Sequence, residues 1–366
     1  MDHIKNVLVT GGAGFIGSSF IRYLFSPEAG FFGRLVNIDK LTYAGNPQNL
    51  ADIETVYGTG DGNGRYVFVR GDICDADLVN RTFAEYDIDT VFHFAAESHV
   101  DRSIHGPGEF IRTNITGTFT LLEAARARWI GSGGPAEGVL FHHVSTDEVY
   151  GPLGPERCFS ESSPYNPRSP YSASKAASDH LVKSYHHTYG LPVTLSNCSN
   201  NFGPYQFPEK LIPLMILNML DEKPLPVYGD GKHIRDWLHV YDHDRAVWTV
   251  AQKGRRGESY NIGGENEWEN IELVRLLCEK VAEAVGRDPG YYKKLITFVP
   301  DRPGHDRRYA VDCAKIKNEL GWSQNFSFEE GLEQAVRWYL ENRDWAQSVR
   351  TGEYRKWIER NYGARA

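Results

Sequence analysis

At 366 residues the chain exceeds the length at which a single hydrophobic core keeps growing, so two lobes are expected. Its 41% hydrophobic and 24% charged residues are those of an ordinary water-soluble protein, and the net charge of −8 contains no basic run, which sets nucleic-acid binding aside. Five scattered cysteines (Cys74, Cys158, Cys198, Cys278, Cys313) lack metal-ligand spacing, no stretch approaches a membrane span, and the apolar N-terminus is too short and glycine-broken for a signal peptide. A cytoplasmic protein with reduced thiols and no metal is expected.

The first predicted strand, Val7–Thr10, runs straight into Gly11-Gly12-Ala13-Gly14-Phe15-Ile16-Gly17 and a helix over 18–25. Gly11 permits the tight turn, Gly14 lets backbone approach a pyrophosphate, and Gly17 lets the helix pack closely. The phosphates would sit on the free N–H groups of the helix N-terminus. A second strand, Leu35–Ile38, ends in Asp39, whose carboxylate suits the adenosine ribose hydroxyls and repels a 2′-phosphate, so NAD is expected over NADP. A turn follows at 41–47, and a glycine-rich acidic loop at 58–64 shows no sign of function. The third strand, Tyr66–Val69, leads to Asp72, which either bonds an adenine amino group or caps the helix beginning near Asp75.

A fourth strand, Thr90–Phe94, gives way to the small residues Ala95 and Ala96, which let a cofactor lie close to the strand end. His93, inside that strand, reads as a satisfied core histidine. A helix is expected over 115–129, then a polar break at 131–135. The fifth strand, starting at Val139, carries Ser145-Thr146-Asp147-Glu148 at its carboxyl end, where open α/β sheets bind ligands. Two adjacent carboxylates there push each other's pKa values apart, giving one acid and one base. Were the strand to continue, the two side chains would face opposite sides, so the backbone has to turn at this point.

Prolines at 164, 167 and 170 precede a helix in which Tyr171 and Lys175 lie four residues apart on one face. An ammonium beside a phenol favours the phenolate, which lets the tyrosine act as a base, and Lys175 could also hold a nicotinamide ribose. The sixth strand, 192–196, leads to a polar stretch, Asn197–Pro204, after which strand–helix alternation fades. Arg235, Asn270 and Asp301-Arg302-Pro303-Gly304-His305 could be aimed at the cleft by a second lobe; Arg235 and Arg302 are either diphosphate clamps or plain surface arginines. The tail, 328–362, reads as helical, with Trp338, Trp345 and Trp357 used for packing.

Glycine loop, Ser-Thr-Asp-Glu and Tyr-x-x-x-Lys together resemble the extended short-chain dehydrogenase/reductase family, and within it the nucleotide-sugar 4,6-dehydratases. Leu41-Thr42-Tyr43-Ala44-Gly45-Asn46, Ala95–Ser103, Asn197–Tyr205 and Asp301–His305 extend the match to nearly the whole chain, and Thr-Asp-Glu separates it from sugar epimerases, which typically lack both acids. The resemblance implies a Rossmann-type doubly wound parallel sheet over 1–200, with a returning segment near 238–263, and a smaller α/β substrate lobe over 201–366. It implies a homodimer and dTDP-glucose dehydration, with UDP-glucose dehydration or 4-epimerisation as alternatives and a non-catalytic NAD-binding scaffold as a rival of another class.

By the same matching, Tyr171 takes the 4-hydroxyl proton, Thr146 bonds the 4-oxygen, Glu148 takes the C5 proton, Asp147 protonates the leaving C6 hydroxyl, and Lys175 supports Tyr171. The NAD site would comprise Gly11, Gly12, Gly14, Phe15, Ile16, Gly17, Asp39, Lys40, Leu41, Thr42, Asp72, Ile73, Phe94, Ala95, Ala96, Ser98, Thr113, Tyr171, Lys175 and Asn201. The nucleotide sugar would meet Ser98, Thr146, Asn200, Lys210, Leu211, Pro226, Val227, Tyr228, Arg235, Asn270, Arg302 and His305.

Overall fold

The computed structural model describes residues 4–60, 62–154 and 157–350. Seven parallel strands form its main sheet: β1 (Asn6–Thr10), β2 (Arg34–Asp39), β3 (Tyr66–Arg70), β4 (Thr90–His93), β5 (Leu140–Thr146), β6 (Val193–Cys198) and β7 (Ser259–Ile262). They lie in the order β7-β6-β5-β4-β1-β2-β3, which makes this a Rossmann-type sheet. Side chains alternate between its faces, as a pleated strand requires: Val7 and Val9 join one apolar cluster and Leu8 the other. Helices α1 (Phe15–Leu24) and α4 (Val240–Lys253) cover the first face, while α2 (Thr118–Trp129) and α3 (Pro170–Tyr189) cover the second. β5 is buried on both sides and has no exposed position, and its His142 is satisfied inside by the Thr194 and Ser196 hydroxyls.

Register decides where the site lies. Thr10 pairs with Ile38 and His93, His93 with His143, and Thr146 with Cys198. The residues that follow these strand ends therefore emerge along a single rim. The strands reverse their order of addition at β1, whose neighbours are β2 and β4, and this is the crevice where such sheets take their ligands.

A second apolar core runs from Phe202 to Ala346 and gathers Ile216, Leu217, Leu273, Leu277, Leu332 and Tyr339. Around it, 225–228 pairs in parallel with 296–299, and 234–239 bridges 200–202 and 267–269. The last helices described are Phe328–Glu341 and Arg343–Val349; the ring of Trp338 packs 5.0 Å from that of Trp345, and the indole N–H of Trp345 donates to Asn49 at 2.8 Å. The tail expected beyond residue 350, with Trp357, lies outside the described residues.

Three local expectations need correction. Residues 111–117 form a π-helical turn, and the regular helix starts only at Thr118, not at 115. Asn114 opens that turn: its side chain bridges the N–H and C=O of Glu97 at 2.9 and 3.0 Å, and its carbonyl accepts from the Thr118 and Ser178 hydroxyls. The helix Ala76–Glu85 is capped by Asp75, not Asp72; Asp72 instead accepts from the Cys74 N–H and pairs with Lys40 at 3.0 Å. Finally, β6 runs two residues further than expected, to Cys198, because Cys198 still has Thr146 to pair with.

Candidate active site

The glycine loop supplies bare backbone. Gly11 has φ +72°, and a Cβ there would come within 2.7 Å of the Ala95 Cα, so the turn is pressed against the end of β4. A Cβ on Gly17 would lie 2.3 Å from the Gly11 carbonyl oxygen, whereas one on Gly14 would meet only that oxygen, at 3.3 Å. Gly14 thus faces open space at the start of α1, a helix with no side-chain cap and no acidic residue in its first turn. These are the requirements of a phosphate cradle. Asp39 is pinned at the end of β2, accepting from the Ala13 and Leu41 N–H groups at 2.9 and 2.7 Å, and burial pushes its carboxyl above the usual range.

From this loop one continuous cleft passes Gly11, Gly14, Phe15, Ile16, Gly17, Asp39, Lys40, Thr42, Asp72, Ile73, Phe94, Ala95, Ala96, Ser98 and Thr113. It then reaches Thr146, Asp147, Glu148, Tyr171, Lys175, Asn200, Asn201 and Lys210. Gly12 and Leu41 are not in its lining: the Gly12 N–H donates inward to Asn37 at 3.1 Å, and Leu41 takes φ 57° behind Asp39. Tyr43, Glu97, Cys198, Gln206, Phe207 and Glu209 also line it. Sequence reasoning named none of these for the site, because spacing gives no sign that Arg102 stacks on the Tyr43 ring at 3.6 Å and pairs with Glu209 at 3.2 Å.

At the end of β5 the strand stops at Thr146 and a tight 3₁₀ turn, Asp147–Tyr150, begins. The Thr146 hydroxyl caps it, accepting from the Glu148 N–H at 3.2 Å, and this is the turn the two carboxylates require. Burial, then the nearby Glu148 and Asp236 charges, push the Asp147 carboxyl up to about 8. Its Oδ2 is buried without a partner. Burial also raises Glu148, but Arg302, Arg235 and Lys210 work against that rise. Both carboxyls are thus raised by burial, and only Glu148 has three cationic charges among the leading influences on it.

Tyr171 departs from expectation. Burial and the Glu148 carboxylate hold its phenol well above the ordinary value, with the Thr146 hydroxyl as a counteracting hydrogen bond. The Lys175 ammonium donates to the Val144 carbonyl at 2.8 Å. His93 lies in the core between the Thr10 and Thr118 hydroxyls, at 2.8 and 2.9 Å.

Neither arginine is a plain surface residue. Arg235, 6% exposed, stacks on Tyr309 and donates to the carbonyls of Ile234 and Asp306 at 2.7 and 3.0 Å. Arg302 pairs with Asp101 at 3.2 Å, and the Tyr228 hydroxyl donates to the same carboxylate at 3.1 Å. Leu211, Pro226, Val227, Tyr228, Arg235, Asn270, Arg302 and His305 stand outside the cleft lining. His233 and His305 stack at 3.7 Å, and Asp301 contacts both. Burial, with the Arg302, Arg235, His233 and Arg307 charges, holds the His305 ring well below its ordinary pKa.

The glycine loop, the Tyr171/Lys175 helix and the Asp147–Glu148 turn meet on one rim of the sheet, the arrangement of a dinucleotide-dependent enzyme. Residues 8–335 match the family model described as GDP-mannose 4,6 dehydratase. The chain is 56% identical to the dTDP-glucose 4,6-dehydratase of Neisseria meningitidis serogroup B over 96% of this chain and 98% of the relative. It is 52% identical to dTDP-glucose 4,6-dehydratase 1 of Escherichia coli K12, over 98% and 99%. The crystal structure of DesIV, a dTDP-glucose 4,6-dehydratase from Streptomyces venezuelae solved with NAD bound, superposes with TM-score 0.84 at 46% identity, over 94% of this chain and 99% of that one. A UDP-glucose 4-epimerase from Thermotoga maritima gives 0.79 at 29%, over 92% and 99%. The chain belongs to the dTDP-glucose 4,6-dehydratase family.

Proposed function

We infer that the protein converts dTDP-glucose to dTDP-4-keto-6-deoxyglucose, with NAD as its cofactor. The observation that carries this reading is the turn at Asp147 and Glu148, where one buried carboxyl holds its proton to about pH 8 and its neighbour, also raised by burial, is opposed in that rise by the charges of Arg302, Arg235 and Lys210. A 4-epimerase has no use for such a pair, since it expels no water.

When bound, NAD supplies reversible hydride exchange with the sugar carbons. Tyr171 exchanges the proton of the 4-hydroxyl, and Thr146, hydrogen-bonded to that phenol, steadies the 4-oxygen. Lys175 lies one helical turn away, where its positive charge favours the phenolate. A ketone at C4 makes the C5 hydrogen acidic. Glu148 removes it, and Asp147 passes its proton to the departing C6 hydroxyl, so water leaves. Around this centre the glycine loop, Asp39 and Asp72 hold the dinucleotide, and Lys210, Tyr228, Arg235, Asn270, Arg302 and His305 face the nucleotide sugar.

Residues 1–200 with the segment near 238–263 are read as the NAD-binding domain, and the remainder to 366 mainly as the substrate lobe. A homodimer fits the apolar surface: Ile111, Phe119 and Tyr189 are 49%, 46% and 42% exposed on the π turn, α2 and α3. Light scattering should give twice the 41.4 kDa chain mass, and Phe119→Asp should give the monomer. No helix among the described residues is long and apolar enough to cross a membrane, and a cytoplasmic location suits a reaction on a nucleotide sugar.

Incubation with dTDP-glucose should yield the alkali-induced absorbance of a 4-keto sugar. Turnover of UDP-glucose alone would move the substrate assignment, and a returned hydroxyl sugar would point to epimerisation.

A further inference from the structure

Helix α3 presents a third ionisable group that the chemistry above does not use. Tyr171, Lys175 and Asp179 recur every four residues, so they share one face, and they are 8%, 4% and 0% exposed. A carboxylate with no solvent contact is expensive to ionise unless a cation and hydrogen bonds compensate it.

The hydrogen bonds are present. Asp179 Oδ2 accepts from the Ser145 hydroxyl at 2.8 Å, the Tyr165 hydroxyl at 2.9 Å and the Asn197 amide at 3.4 Å. The same Asn197 amide donates to the Thr146 carbonyl at 3.2 Å, while Lys175 donates to the Val144 carbonyl. Three consecutive residues, 144 to 146, are thus tied to this helix face immediately before the Asp147–Glu148 turn.

The charge balance is narrower still. Asp179 Oδ1 lies 3.2 Å from His143 Nε2, but burial and the Lys175 charge hold His143 well below its ordinary pKa, so that ring is neutral. Lys183 adds a weaker, half-buried contribution. Lys175 in turn is faced by His93 from β4, His143 from β5, Cys198 from β6 and Asp179 from its own helix. Both histidines are neutral and burial pushes the Cys198 thiol up to about 12; burial raises the Asp179 carboxyl and lowers the Lys175 ammonium, and the charge of each is the largest influence opposing that shift in the other.

We propose that Asp179 is the buried counter-ion of Lys175 and, through Ser145 and Asn197, the positioning residue that anchors the acid–base turn to helix α3. The proposal rests on the dehydratase reading for its consequence in turnover, but the ion pair itself can be tested without substrate.

A thermal-stability cycle on the full chain uses Asp179→Asn, Lys175→Met and the double variant. Each single change strands one buried charge, so the double variant should melt well above the sum of the two losses. Additive losses would overturn the pairing. For turnover, Asp179→Asn should move the alkaline limb of the kcat profile to lower pH by about one unit or more, since Lys175 then loses its proton earlier. Tyr165→Phe removes a hydrogen bond from the same carboxylate but no charge, and should leave the limb in place. An unmoved limb in Asp179→Asn, or an equal shift in Tyr165→Phe, would overturn the positioning role. Should Asp179→Asn be too unstable for kinetics, the stability cycle decides. Failure of the parent protein to turn over dTDP-glucose would strike the functional reading and leave the ion pair, as measured by the cycle, standing.

Discussion

The ends of β1 and β5 flank β4 on one rim, yet they are built on opposite principles. At β1 the chain removes side chains, so that backbone N–H groups lie bare for an anion. At β5 it does the reverse and packs Asp147, Glu148, Tyr171 and Lys175 where water is largely excluded, so each charge state depends on its neighbours. Binding is obtained from shape and fixed dipoles, chemistry from unfavourable burial. Substitutions should therefore fail differently at the two ends.

The largest effect is expected at the β5 end. Tyr171→Phe should lower kcat by about 10²–10⁴-fold while NAD stays bound, as cofactor released on denaturation would show. Loss of NAD in that variant would merge the two regions into one.

At the β1 end the contrast lies between two glycines. Gly17→Ala places a methyl 2.3 Å from the Gly11 carbonyl oxygen and should lower both the melting temperature and the NAD content. Gly14→Ala meets its nearest atom at 3.3 Å, so it should fold nearly as well but retain at least tenfold less NAD (~10-fold, the cost of one displaced phosphate contact). Equal melting losses in the two variants would show that the loop is structural throughout.

A different kind of effect concerns pH. Asp147 titrates at about 8 in the fold against an ordinary 3.8, so the folded chain holds a proton that the unfolded chain releases. The stability this contributes is complete below about pH 4 and is lost as pH rises through about 8. Glu148 acts in the same direction and is present in both proteins, so the Asp147→Asn variant should lose less melting temperature than the parent between those limits. Parallel melting curves would place the Asp147 pKa near its ordinary value.

Legibility in the sequence follows the same division. The glycine spacing, Asp39 and the burial of β5 are local patterns, and each lies where its spacing put it. The turn between Asp147 and Glu148 was legible too, because a continuing strand would send the two side chains to opposite faces. Long-range contacts were not readable: Lys175 occupied by the Val144 carbonyl, Arg235 buried against Tyr309, Asn114 opening the π turn against Glu97. In each case a polar group found a partner tens of residues away, and periodicity carries no signal of that. Of the two readings open for Asp72, the helix cap falls away because Asp75, three residues on, supplies it, while Asp72 lines the cleft.

The most direct test of the account is the yield of 4-keto-6-deoxy sugar from dTDP-glucose by Asp147→Asn at neutral pH, an isosteric change that removes only the transferable proton. Product formation should drop by about 10²–10⁴-fold with NAD still in place; a yield within a few-fold (~3-fold, under 1 kcal/mol) of the parent would contradict the assignment of Asp147 as the acid that releases water.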